Sequence, residues 1–266
     1  MILKNISILF GDDLKFIEST DIKITNKKFQ SISPQIISSK EKILDCKGLL
    51  LIPGLINSHT HIGDSIGKDV SLDSNADSRI HPVSGIKQRI LTETPKKELA
   101  KFIRKSAISM LRKGITTFVD FREGGTEGIQ LLKDAIKGNP IRSIILGRID
   151  YYQTKSDIQK NTSMPESYQL ELKSLLRNCD GIGISGPNEN SDSNLDTYSK
   201  IKKLRAIHAA ETLQSYSTSQ KVFKSSEPMR ALLAKPTFLV HMTFATKNDL
   251  RKISKNVRGI VICPRS

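Results

Sequence analysis

The sequence predicts an α/β barrel, in which parallel strands are surrounded by helices, with a small β module ahead of it. From residue 114 onward short apolar runs alternate with helical patterns, which is typical of parallel βαβ units. The 266 residues are enough for a (β/α)8 barrel, which needs about 250. Four of the five histidines lie at the ends of predicted strands, where barrels of this type carry their sites.

Residues 1–48 predict the small β module. Apolar and polar residues alternate from Ile2 to Phe10, and Gly11 begins a turn. Further short strands are predicted at 16–18, 21–24, 29–32 and 42–46. Pro53 and Gly54 mark the entry to the first barrel strand. We therefore place an N-terminal β domain at 1–52 and the barrel at 53–266.

The stretch from Leu49 to Gly63 predicts the first barrel strand and the start of a metal site. Its apolar run is typical of a buried strand, and it ends in His59 and His61. Residues two apart on a strand point to the same face, so both imidazoles can approach one metal ion. Two unrelated histidines at a strand end are the alternative at this point.

Residues 64–94 show few periodic apolar residues and predict a long loop, a kind of segment that often covers a site. The loop contains His81, which is either a surface residue or a mobile contact to substrate. A helix is predicted over 95–113, with Thr94 as its N-cap and Pro95 at its first position.

The rest of the chain predicts six more strands separated by helices. The strands are expected at 115–121, 142–148, 181–185, 205–211, 237–241 and 259–263. The helices are expected at 126–136, 166–177, 196–204, 226–234 and 247–254. With the first strand this makes seven strands, whereas a closed barrel of this class has eight. The predicted barrel is therefore incomplete at strand eight, with unpaired edges at strands one and seven.

Charged and metal-binding side chains follow most of the predicted strands. Strand by strand they are His59 and His61, then Asp120, Arg122 and Glu123, then Arg148 and Asp150, then Asn188 and Glu189, then His208 and Glu211, and finally His241. Imidazole ligands suit zinc or iron(II), and such an ion lowers the pKa of a bound water towards neutrality. Glu211 is either a general acid and base beside that water or an exposed loop carboxylate.

The candidate substrate-binding residues are Arg122, Glu123, Arg148 and His81. Arg148 has two interpretations that the residues alone leave open. It can form a bidentate pair with a carboxylate of the substrate, or an ion pair with Asp150 or Glu123.

Four segments carry a resemblance to a known family. In chain order they are 53–61 (PGLINSHTH), 208–212 (HAAET), His241 and 263–266 (CPRS). On these motifs the chain resembles the amidohydrolase superfamily. Within it the chain looks like the mononuclear deaminase and chlorohydrolase branch, which includes cytosine, guanine and S-adenosylhomocysteine deaminases. The motifs span nearly the whole chain, and their order makes the set specific.

The resemblance implies a role for each motif. His59, His61 and His208 would hold one divalent metal ion, with zinc favoured and iron(II) the alternative. Glu211 would transfer protons, and His241 would hydrogen-bond the hydrolytic water or polarise the substrate. Binuclear members carry a carbamylated lysine on strand four. Residues 181–187 contain no lysine, which favours a single metal. The N-terminal strands would form the first half of a β-sandwich.

The function implied by the resemblance is hydrolysis of carbon–nitrogen bonds other than peptide bonds, with deamination of an amino-substituted heterocycle or nucleoside preferred. A cyclic amide or imidazolone hydrolase, a chlorohydrolase, and an inactive fragment or assembly subunit are the alternatives. The resemblance also predicts an aspartate at the end of strand eight, which no residue of this sequence can match. We therefore expect a fragment of a longer enzyme, or else a degenerate remnant, with little or no deaminase activity alone.

The composition predicts a globular, cytoplasmic protein that acts on a small molecule. No apolar run approaches the ~20 residues of a membrane span. The three cysteines are far apart and form neither a disulfide framework nor a cysteine zinc cluster. The net charge of +15 is spread over scattered lysines, and aromatic residues are few, which argues against nucleic acid as the main partner. The other partners expected are a second copy of the chain or a chain that supplies strand eight.

Overall fold

The computed structural model describes residues 1–38, 40–70 and 85–264, and the chain divides into two compact units, Met1–Leu55 and Ile56–Ser266. His81, the predicted substrate contact in the long loop, lies outside the described residues. So do the last two residues of the 263–266 motif.

The first unit is a five-stranded sheet. Its strands are β1 (Ile2–Phe10), β2 (Lys15–Thr25), β3 (Lys28–Ser33), β4 (Ile43–Asp45) and β5 (Leu50–Leu51). The order is β3-β2-β1-β4, with antiparallel pairs between β1, β2 and β3, while β4 and β5 run parallel to β1. Ile6, Ile8, Ile22 and Cys46 are buried together on one face. The segments predicted as separate strands at 16–18 and 21–24 form one continuous strand.

The apolar run at 49–56 does not form one buried strand, so that prediction was wrong. Leu50 and Leu51 form β5 in the first sheet, and a new strand begins at Leu55, after Pro53 and Gly54. Five of the six large apolar side chains of the run are between 45% and 62% exposed, namely those of Leu49, Leu50, Ile52, Leu55 and Ile56. The run divides because proline has no N–H for a sheet hydrogen bond.

The second unit is built on a seven-stranded sheet whose strands follow each other in chain order. They are β6 (Leu55–Thr60), β7 (Ile115–Arg122), β8 (Arg142–Gly147), β9 (Gly181–Ile184), β10 (Leu204–Ala209), β11 (Phe238–His241) and β12 (Gly259–Val261). The pairs from β7 to β12 are parallel. Strands β6 and β12 are the two edges, and a cleft of about 640 Å³ is lined by both. The predicted α/β barrel is therefore confirmed.

Helices connect these strands. They are α1 (Ile86–Glu93), α2 (Lys96–Arg112), α3 (Gly125–Ile136), α4 (Lys155–Gln159), α5 (Glu166–Leu176), α6 (Asp192–Ser199), α7 (Leu213–Phe223), α8 (Glu227–Ala231) and α9 (Lys247–Ile253). Short 3₁₀ turns are formed by Ile62–Gly67, Pro187–Glu189 and Leu232–Ala234. None of the helices in the described part of the chain is both long and apolar enough to cross a membrane.

Five of these segments were missed by the sequence analysis, and two of them are the short helix α4 and the turn Pro187–Glu189. Helix α1 and the turn Ile62–Gly67 lie inside the predicted loop, and α1 buries no residue, so it shows little amphipathic pattern. Helix α7 is rich in serine and glutamine and was assigned to no element. It begins where the Thr212 side chain accepts a hydrogen bond from the Ser215 N–H, which is a capping signal.

Successive residues of β7 point to opposite sides of the sheet, and this alternation sets the position of the site. Phe118 packs with side chains of the surrounding helices. Val119 and Phe121 pack on the inner face, with Leu146, Ala206 and Val240 from the neighbouring strands. The inner face is thus apolar along its length and leads to the carboxyl ends of the strands.

Candidate metal centre and active site

Four imidazole rings meet at the carboxyl ends of β6, β10 and β11. The ring centroid of His59 lies 4.9 Å from that of His61, 4.9 Å from that of His208 and 5.3 Å from that of His241. Phe121 lies beneath them, with its centroid 4.7 Å from those of His59 and His208. Histidines far apart in the chain therefore form one cluster, as their positions after predicted strands indicated.

The distance between His61 and His208 fits two ligands of one metal ion. Their Nε2 atoms are 3.3 Å apart. Two nitrogens bound at 2.0–2.1 Å to a tetrahedral zinc ion lie about 3.3–3.4 Å apart. The Nδ1 atom of His208 is 2.9 Å from the Ile184 carbonyl oxygen. It therefore donates to that oxygen, and the Nε2 lone pair is left for a metal.

His59 completes a set of three nitrogen donors. Ligand atoms of His59, His61 and His208 all lie within 4.8 Å of one another. The Nδ1 atom of His59 is buried and has no hydrogen-bond partner among the residues that the structure describes. A metal ion would satisfy such an atom, so the donor set fits a borderline ion such as zinc. His59, His241 and Cys263 meet the same distance limit.

Burial keeps three of the four clustered imidazoles in the neutral form that binds metals. Desolvation, followed by the charge of neighbouring imidazoles, lowers the pKa of His59 to about 2 and that of His241 to about 4. The same causes hold the pKa of His208 well below its ordinary value. These rings are therefore neutral at pH 7 before any ion binds.

Glu123 lies behind His61, where it supports a ring rather than facing the cavity. One carboxylate oxygen is 2.9 Å from His61 Nδ1, 2.5 Å from Lys87 Nζ and 3.4 Å from Arg148 Nη2. Burial raises the pKa of Glu123, but Lys87, His61 and Arg148 outweigh it and hold that pKa well below its ordinary range. An ionised carboxylate on Nδ1 orients the ring and makes its other nitrogen a better ligand.

Asp120 and Lys87 are site residues that the sequence analysis did not single out. One oxygen of Asp120 accepts hydrogen bonds from the Thr60 hydroxyl (2.9 Å) and the Ile62 N–H (2.7 Å), on either side of His61. Asp120 was noted only as a residue at a strand end. Lys87 lies in the segment predicted as a loop, and no motif marked it.

Glu211 and His241 face the same cavity as the three ligand candidates. Glu211 Oε2 is 3.4 Å from His241 Nε2, and both residues line a cavity of about 330 Å³ with the other histidines. The backbone turns sharply after both strands, since Ala210 has φ 52° and His241 has φ 71°. A carboxylate and a neutral imidazole beside a metal position can move and hold protons.

The two arginines predicted to bind substrate occupy different positions. Arg148 lines the cavity and pairs with Glu123, which is one of its two interpretations. Arg122 does not line it. Its guanidinium is buried and donates from Nε to the Gly128 carbonyl oxygen at 3.0 Å. The alternation along β7 explains this correction, because Arg122 is on the side of Phe118, towards the helices.

Comparisons with known proteins show the family and the fold of this chain. Residues 50–266 match the Amidohydrolase family. A protein of Methanothermobacter thermautotrophicus named "Putative aminohydrolase" is 33% identical over 274 residues, which cover 100% of this chain and 68% of that protein. A 5-methylthioadenosine/S-adenosylhomocysteine deaminase of Pyrococcus furiosus is 24% identical, over 100% of this chain and 64% of its own length. The structure of guanine deaminase from C. acetobutylicum superposes with a TM-score of 0.75 at 16% identity, covering 99% of this chain and 67% of that one.

Proposed function

Since this chain belongs to the amidohydrolase family, we propose that it is a metal-dependent hydrolase of carbon–nitrogen bonds that deaminates an amino-substituted heterocycle or nucleoside. The observation that carries the proposal is the 3.3 Å separation of His61 Nε2 and His208 Nε2. The Glu211 and His241 side chains lie in the same cavity, 3.4 Å from each other.

His59, His61 and His208 would hold one divalent ion. Zinc is the ion that three imidazole ligands favour, and iron(II) is the alternative. When bound, the ion would act as a Lewis acid towards water and substrate. His61 would be oriented by Glu123 and by the hydrogen bonds of Asp120 on either side of it.

Glu211 is the proton carrier in this proposal. Hydrolytic deamination adds water at the carbon that bears the amino group, breaks the carbon–nitrogen bond and releases ammonia. Glu211 would take a proton from the water and deliver it to the heterocycle. His241 would hold the water or the substrate by a hydrogen bond from its neutral ring. Arg148, at the cavity wall, is the remaining candidate for a contact to substrate.

Ammonia release tests the proposal. The protein is stripped of metal, reloaded with zinc or iron(II), and incubated with aminopurines, aminopyrimidines and their nucleosides, including 5-methylthioadenosine and S-adenosylhomocysteine. We expect metal-dependent binding of one substrate class, with any ammonia release also dependent on the metal. Glu211→Gln should abolish release while metal content stays unchanged.

Two outcomes would contradict the proposal. One is the absence of both binding and ammonia release across the panel with either metal. The other is release that persists in metal-free protein or in Glu211→Gln. Hydrolysis of a cyclic amide or of a chlorinated heterocycle without ammonia would assign the same site to a different reaction of the family.

A further inference from the structure

Glu227 is a buried carboxylate that the proposed mechanism does not use. It is the first residue of α8, is 4% exposed and lines the cavity. One of its oxygens accepts a hydrogen bond from the Ala210 N–H at 3.0 Å. The other accepts one from the Ser215 hydroxyl at 2.8 Å. Both contacts are to the segment that follows β10, where Glu211 lies.

Ala210 forms the turn that directs Glu211 into the cavity. Its φ of 52° is in the left-handed region, which costs free energy for a residue with a Cβ and persists only where contacts enforce it. The Ala210 carbonyl oxygen accepts from the Phe244 N–H at 3.0 Å. With the Glu227 contact, both backbone polar groups of Ala210 are held from outside the turn.

Helix α8, which carries Glu227, is held in place by the contacts of another of its residues. Arg230, one turn further along, is 3% exposed. Its guanidinium donates to the carbonyl oxygens of Pro187 and Asn190, both at 2.8 Å, and pairs with Asp192. The loop after β9 and the turn after β10 are thereby connected to the same short helix.

We propose that Glu227 is a positioning residue that holds the Ala210 turn and, through it, keeps the Glu211 carboxylate beside His241. The inference rests on the proposed function for the role of Glu211, but the hydrogen bond to Ala210 can be tested without turnover. Length rather than charge is the property that matters, because the acceptor must reach a buried N–H.

A matched pair of variants separates reach from charge. Glu227→Gln keeps the length and an acceptor oxygen but loses the charge. Glu227→Asp keeps the charge but is one methylene shorter. Burial raises the pKa of Glu227 to about 7, against the opposing effect of its contacts with Ser215 and Ala210. The neutral side chain of glutamine is therefore a close substitute for one of the forms that glutamate adopts here.

The first measurement is hydrogen exchange of the Ala210 amide, followed by NMR on the whole protein. We expect exchange at least about tenfold faster in Glu227→Asp, since a buried hydrogen bond to a carboxylate is lost, and near wild type in Glu227→Gln. Ser215→Ala, which leaves the Ala210 contact in place, should also stay near wild type. Unchanged protection in Glu227→Asp, or equal loss in Glu227→Gln, would overturn the proposal.

The second measurement is turnover of the substrate found in the ammonia assay. In Glu227→Asp we expect kcat to fall about 10- to 100-fold, the loss typical of a displaced catalytic group, with KM and metal content within about twofold. Glu227→Gln should retain most of kcat. A fall confined to KM, or a larger loss in Glu227→Gln, would contradict positioning. If the wild type neither binds nor deaminates any compound of the panel, the proposed function fails, while the exchange result still decides whether Glu227 holds Ala210.

Discussion

The two ring nitrogens of His61 face different groups, a charged one at Nδ1 and an imidazole at Nε2. Nδ1 faces the ionised Glu123 carboxylate at 2.9 Å, and Nε2 faces the neutral His208 ring at 3.3 Å. Lys87 Nζ is also 2.7 Å from Nδ1, so the Glu123 carboxylate and the Lys87 ammonium both lie on this side of the ring. These contacts orient the ring with its Nε2 atom towards the candidate metal position.

Removing one ligand candidate should remove the metal. We expect His61→Ala to bind far less than one equivalent of zinc, whereas His241→Ala, a histidine of the same cluster outside the proposed set, keeps about one equivalent. Metal analysis after gel filtration measures both. Loss of zinc in His241→Ala with retention in His61→Ala would instead assign the ion to His59, His241 and Cys263.

The depressed pKa of His59 makes the metal-free protein sensitive to acid. Its pKa is about 2 in the folded chain against an ordinary 6.5. Below pH 6.5 the unfolded chain therefore binds a proton that the folded chain does not, and stability falls as the pH falls. Between pH 6.5 and 5.0 we expect the wild type to lose about 1–2 kcal/mol more than His59→Gln.

Urea unfolding in EDTA at the two pH values measures this difference. Using the difference between the two proteins cancels groups whose pKa does not depend on His59, such as the carboxyls of Asp64 and Asp120, whose pKa values burial raises. Equal losses of unfolding free energy in the two proteins would contradict the assignment of a buried, neutral His59.

At the scale of elements, β9 has no room for a side chain at Gly183, where the strand passes the ring of Phe121. A Cβ on Gly183 would lie 2.5 Å from Phe121 Cδ1, and the ring of Phe121 contacts those of His59 and His208. We expect Gly183→Ala to lower the unfolding free energy by about 1–3 kcal/mol, the usual cost of overpacking, and to weaken zinc binding.

Gly259→Ala is the control for this substitution. Gly259 also lies in a strand of the same sheet, but a Cβ there would meet no atom within 4 Å. Its unfolding free energy should stay within about 0.5 kcal/mol of wild type. Equal effects of the two substitutions in urea unfolding would show that strand glycines as such, and not the contact with Phe121, determine the loss.

The strands of the barrel could be predicted because their signal is local. Runs such as 115–121 and 181–185 are apolar and bounded by turn residues, and the histidines follow them directly. Roles that depend on packing could not be predicted in this way. Arg122 and Glu123 are adjacent in the sequence, but the Arg122 side chain lies towards the helices and the Glu123 side chain, just after β7, lies behind His61. Lys87 joins the site from a helix that has no buried stripe.

At the scale of the whole molecule, the site gathers residues from β6, β7, β10 and β11 and therefore exists only in the folded chain. His59 and His241 are 182 positions apart in the sequence, yet their ring centroids are 5.3 Å from each other. Their proximity follows from the sequential order of a parallel sheet, which strand and helix alternation predicts. The run at 49–56 divides at Pro53, where the sequence analysis placed the domain boundary, but the pairing of Leu50 and Leu51 with β1 could not be predicted, because it joins residues distant in the chain.

Zinc should stabilise the folded chain by binding linkage. At a free zinc concentration about 100 times the Kd, the expected gain is about 2.7 kcal/mol. Thermal unfolding with zinc and with EDTA measures the shift, and His61→Ala should show almost none. A wild-type Tm that zinc leaves unchanged, or an equal shift in His61→Ala, would contradict a site at these residues.

Phe121 has a consequence for the entropy of metal binding. Its ring contacts the rings of His59 and His208, and its centroid is 5.7 Å from that of His61. The Phe121 ring therefore restricts the rotation of the three proposed ligands. The rotational freedom of these rings is then lost when the chain folds and not when the ion arrives. Phe121 has no donor atom for a metal, but by ordering the ligand rings during folding it raises their affinity for the ion.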